Sequence, residues 1–138
     1  MNRHLKIVVA IAVSGITVAV LAPLIWHRLR DAFEAWAVGI HQRSTTRELA
    51  EWEKEFSQIR NKDEAIQAVN MLRYVQGYYV PGPGYHSDSA TEAALEEQRQ
   101  KTMSTIAGAL EAYTGERYGV DVEKWEAWRD SQMHEKKP

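Results

Sequence analysis

Apolar residues run from Ile7 to Trp26 without one charge, and beyond Trp26 they recur every three or four positions. A helix of that first stretch spans about 30 Å, the thickness of a bilayer's hydrocarbon core. Arg3 and Lys6 flank one end, and Trp26, His27, Arg28 and Arg30 the other; Trp and long cationic side chains favour the headgroup level. The pattern predicts a basic flank at 1–6 and a single-pass transmembrane signal-anchor helix at 7–26. Signal-peptide removal is the rival. It needs a cut after Ala22 that leaves Pro23 first, and the run exceeds the about 7–15 residues of an ordinary signal sequence.

Past the run, Leu29, Phe33, Trp36, Ala37 and Ile40 form one stripe at helical spacing. It predicts a juxtamembrane amphipathic segment over 27–43, lying along the interface and interrupted at Gly39 and the polar stretch His41 to Thr46. A helical domain is then expected over 44–130. Thr45-x-x-Glu48 reads as a capping box opening a helix with Leu49, Trp52, Phe56 and Ile59. Asn61-x-x-Glu64 repeats the signature before Ala65, Ile66, Val69, Leu72 and Val75, with Gly77 as the stop; these two helices can also merge into one bent rod. In the loop 78–89, two prolines and two glycines alternate, which no helix interior accepts. Ser89-x-x-Glu92 opens the longest helix of the domain, with Leu95, Met103, Ile106, Leu110 and Tyr113 inward, and Thr114-Gly115 ends it. Asp121 caps a last helix carrying Val122, Trp125 and Trp128, and residues 131–138 are expected to fray. No alternating run competes, so the fold class is all-α.

Charge sharpens this division. The chain of 138 residues has 17 Lys and Arg against 19 Asp and Glu. Every acidic residue follows Arg30, so a membrane piece precedes an acidic domain. That balance excludes a nucleic-acid partner, which calls for a basic excess. With no cysteine there is no disulfide, thiolate metal site or thiol nucleophile. Positive residues stand on both sides of the apolar run and do not set its orientation; an anchor that starts like a signal peptide is expected to place the C-terminal domain on the exported side.

Ala109, Leu110, Thr114, Gly115, Tyr118, Gly119, Asp121, Trp125 and Trp128 form the pattern AL-x-x-x-TG-x-x-YG-x-D-x-x-x-W-x-x-W. It resembles the closing segment of some bacterial HEAT-repeat-like proteins, in which a Trp-rich capping helix packs back on the last repeat. The resemblance implies a helical-hairpin module, about Asp63 to Gly77 and Ser89 to Tyr113, with a protein-binding role. No second repeat is visible, although a solenoid generally needs three or more.

Candidate chemistry is sparse. The five histidines show no metal-ligand spacing, so no metal, cofactor or catalytic residue is assigned. His86 with Asp88 is the best local pair and the basis of an enzyme alternative; Ser87 and Ser89 beside them read more economically as helix caps. Contact surfaces stand out more clearly. Gly15 and Ala19, with Ala12 and Ala22, make a small-residue face suited to self-association of the membrane helix. Phe33, Trp36 and Ile40 make a second surface. Tyr78, Tyr79 and Tyr85 make a third, either an aromatic edge for a protein partner or a lid on the core. The expected partners are the lipid bilayer, a protein and a second copy of the chain.

Overall fold

Helical spacing over nearly the whole sequence is realised as four helices: α1 Arg3–Glu55, α2 Lys62–Gly77, α3 Ser89–Thr114 and α4 Val122–His134. The computed structural model describes residues 3–80 and 82–134, with side chains from Leu21 onward except Leu24. The described residues form no strand, and the all-α class holds. Among them no helix is long and apolar enough to cross a membrane. The expected span Ile7–Trp26 falls largely outside the residues whose side chains are described, as do Gly15 and Ala19, and residues 135–138 lie outside the description altogether.

The largest departure from the sequence reading is α1, which runs 53 residues without a break. The expected interruption between Gly39 and Thr46 does not occur, and Thr45 is no N-cap. The Thr45 hydroxyl donates to the His41 carbonyl (3.0 Å) and the Thr46 hydroxyl to that of Gln42 (2.9 Å). Residues that signal a cap in isolation here bond back into their own helix. The polar stretch is continuous because it is a packing face: Gly39, Gln42, Thr45 and Leu49 are buried at helical intervals. Packing of the domain therefore begins at Gly39, ahead of residue 44.

That face lies against α3, which runs parallel to it. Ser87 meets Gln42, the Thr102 hydroxyl donates to the Leu49 carbonyl (2.9 Å), and Gln98 reaches Glu53 (2.7 Å). α2 returns against α3 after a turn at Phe56–Asn61, so α1 and α2 do not merge into one rod. Asn61 caps α2 by accepting from the Glu64 amide (2.9 Å), while Glu64 reaches back to the Arg60 amide (2.8 Å). α4 runs along α2 in the opposite sense, through Lys62 to the Gln132 carbonyl and Arg129 to Asn70.

Leu49, Ala65, Val69, Leu72, Val75, Leu95, Met103, Ile106, Leu110, Val122 and Trp125 share one core. Tyr113, expected inside, is 40% exposed. The cap of α3 is Asp88, one residue earlier than Ser89: its carboxylate accepts from the Thr91 amide (2.9 Å). Gly115 (φ 80°) and Gly119 (φ 56°) take the left-handed backbone that closes α3 and reverses the chain. Asp121 then accepts from the Lys124 amide, and the Trp125 indole donates to the Gly119 carbonyl (2.8 Å). α4 extends through His134, so the tail expected to fray from Ser131 is helical for its first four residues.

Candidate partner-binding site

The end of α2 and the loop behind it gather aromatic rings into a ladder. Trp52 of α1 stands edge-on to Tyr74 (5.6 Å between centroids) and to Tyr78 (5.0 Å). Tyr78 meets Tyr79 at 4.7 Å and 85°, and Tyr79 leads on to Tyr85 at 6.2 Å. Tilted and edge-to-face pairs at these separations each stabilise by about 0.5–1.5 kcal/mol beyond area burial. Tyr74 and Tyr79 keep about half their surface open, 52% and 46%. With Arg73, Gly77 and Tyr78 they line an open hollow.

The platform is braced from beneath. The Tyr78 hydroxyl donates to Glu48 of α1 at 2.6 Å. That carboxylate acceptor, with burial second, pushes the phenol well above its ordinary value of 10.0. The Tyr78 carbonyl accepts from the Arg99 guanidinium (2.6 Å), which also pairs with Glu96. Arg99 is only 2% exposed. A buried guanidinium is costly unless paired, so this one fixes the chain at Tyr78 while Glu96 balances its charge. Tyr79 then turns through a left-handed conformation (φ 47°), the sole non-glycine residue with positive φ among those described. A bulky residue there is strained, and such strain concentrates at functional segments.

Of the residues singled out by sequence, the structure brings together Tyr78, Tyr79 and Tyr85. Tyr78 and Tyr85 are half-buried and Tyr79 is exposed, so the ladder carries both covered and open rings. Phe33, Trp36 and Ile40 lie elsewhere, exposed along α1. His86 and Asp88 do not pair. His86 Nδ1 faces Glu92 (3.2 Å) on an open surface, and Asp88 is engaged in capping α3. The Ser87 amide donates to Glu92 (2.8 Å), and that bond, ahead of His86, holds the Glu92 carboxyl below its usual range. Among the described residues no three His, Asp or Glu side chains converge as a metal site. A second depression, at the α1–α2 turn, includes Glu64, already spent on capping α2.

Sequence reasoning placed Trp52 on an apolar helix stripe and Glu48 in a capping box without linking either to this platform, and it missed Tyr74 and Arg99. Arg99 had a signal: Leu95, Arg99, Met103, Ile106 and Leu110 continue one inward stripe at spacings of three and four. Comparison with protein families, with curated proteins and with solved structures finds no match. None of these comparisons bears on the likeness to HEAT-repeat-like proteins.

Proposed function

We propose that this is a membrane-anchored, non-enzymatic binding domain that holds a protein partner at the bilayer surface, as a scaffold or as an accessory subunit of a membrane complex. The observation that carries the reading is the ladder Trp52–Tyr74–Tyr78–Tyr79–Tyr85. Aromatic residues and arginine dominate interface energetics, and this platform presents half-open rings beside Arg73 on a rigid, braced base. The charge-free run Ile7–Trp26 with its basic and aromatic flanks supports the single-pass anchor, and its signal-peptide-like start supports an exported C-terminal domain. The Thr114-Gly115 turn and the tryptophan helix that folds back on it support a HEAT-like capping module, whose family role is protein binding. His86 in the open and Asp88 spent as a cap support a role without catalysis.

The test is affinity capture of the full-length protein in gentle detergent, beside Tyr74→Ala/Tyr79→Ala. Both rings lie half in solvent, so the double variant should stay folded. A stoichiometric partner that the variant loses at least tenfold is the expected result. Equal capture by both proteins would remove the platform as the contact surface. Flotation of the full-length chain with lipid vesicles reads the anchor independently.

A further inference from the structure

The unbroken course of α1 places in one register two surfaces that the sequence keeps apart. Trp26, Leu29, Phe33, Trp36 and Ile40 follow spacings of three, four, three and four, the seam positions of a heptad. Their exposure runs from 43% at Ile40 to 70% at Trp26. The face of α1 that packs on α3, through Gly39, Gln42, Thr45 and Leu49, lies roughly 150° around the helix at about 100° per residue. Counted backward, the same sequence register meets Ala22, Ala19, Gly15 and Ala12; counted forward, it meets Arg43 and Arg47.

We propose that α1 pairs with α1 of a second copy, parallel and in register, along the seam Trp26–Ile40. The choice of occupant rests on the membrane reading. With 7–26 in the hydrocarbon core, Phe33, Trp36 and Ile40 stand about 10, 15 and 21 Å beyond Trp26. The headgroup layer is only about 5–8 Å deep, so lipid does not reach them, and a contiguous apolar stripe outside lipid marks a protein contact. Copies inserted with the same topology run parallel. That sets large residues against large ones and small against small, the self-complementary arrangement a two-fold pair requires. Arg43 and Arg47 oppose their own copies at the next two seam positions and end the pairing beneath the domains. Three aromatic side chains of roughly 150–250 Å² each at full burial, already partly covered here, supply with Leu29 and Ile40 at most about 1,000 Å² across two copies. This is the lower end for a specific interface, and tethering to a common plane raises the effective concentration.

The chain has no cysteine, so single-cysteine variants of the full-length protein in bilayer vesicles report proximity directly. Leu29→Cys, Phe33→Cys and Ile40→Cys lie on the seam; Asp31→Cys, Glu34→Cys and His41→Cys lie on the outer face. Oxidation should give disulfide dimer at seam positions at least fivefold above the outer set. Equal cross-linking in both sets, or none in either, overturns the pairing. So does brominated-lipid quenching that disappears in Trp36→Phe, which would assign the seam to the bilayer. Alkaline extraction of the same vesicles separates the two ideas: release with seam-specific cross-linking intact ends the membrane reading alone, and retention without cross-linking ends the pairing alone.

Discussion

The Tyr78 hydroxyl donates to Glu48 while its backbone carbonyl accepts from buried Arg99, so one residue joins α1, α2 and α3 at the base of the platform. Its phenol is held neutral in the folded state, and the sign follows: the stabilisation is present below the ordinary tyrosine value of 10.0 and is lost as pH rises through the higher folded value. Tyr78→Phe should cost about 1–2 kcal/mol, read by urea unfolding at pH 7, because it orphans a part-buried charged acceptor. Up to about pH 11, wild type and variant should show the same rise in phenolate absorbance, despite the extra tyrosine. A smaller rise in the variant would mean that Tyr78 titrates ordinarily and the Glu48 bond is weak. The tyrosines were legible as a cluster from the loop composition. Arg99 was not, because charged residues are rarely buried and the prior for its type outweighed its place in the stripe.

Continuity is the property that matters for α1. Proline at position 47, an exposed site immediately past the expected interruption, removes an internal hydrogen bond and crowds the carbonyl of Arg43. Arg47→Pro should lower stability by about 3 kcal/mol or more; a change under about 0.5 kcal/mol would restore the interruption. The sequence hid this continuity because Gly39, Ser44, Thr45 and Thr46 are poor helix formers, and only contact with α3 reveals why the helix passes through them. The Asn61 cap of α2, the glycine turn after Thr114 and the Asp121 cap were legible, since each depends on a few adjacent residues. At α4 the two inward tryptophans differ in depth. Trp125 is fully buried and bonded to Gly119, whereas Trp128 packs on the core from its edge, 6.1 Å from Trp125. Trp125→Ala should cost roughly 3–5 kcal/mol and Trp128→Ala about 1–2, measured by chemical unfolding. Equal losses would place both rings in the core alike.

Across the described residues, four carboxylates sit below their usual range. Glu53 is held mainly by Gln98, Asp88 by Thr91, Glu92 by the Ser87 amide and Asp121 by Lys124. A carboxyl lowered on folding stabilises above its unfolded value, and that stability disappears as pH falls through the folded one. The urea midpoint should therefore be flat between about pH 5 and 7 and decline steadily below about 4.5. Glu92→Gln should reduce the slope of that decline. An unchanged slope would show that the loop before α3 contributes nothing to acid sensitivity. The helical class and most of the core were readable from periodicity. Which helices touch was not, because parallel contact between α1 and α3 depends on residues far apart in sequence.

No break separates Trp26, three residues past Pro23, from the part of α1 that packs on α3, so spacing along this stretch is also an angular setting. One residue inserted between Trp26 and Gly39 would turn the aromatic platform by about 100° and lift it by 1.5 Å, whereas seven would raise it by roughly 10 Å and return it almost to its original bearing. On the membrane-anchored reading proposed above, a partner held in the same bilayer would feel those insertions as changes of compass direction. Binding should fail and recover with the period of the helix, while stability of the domain stays level.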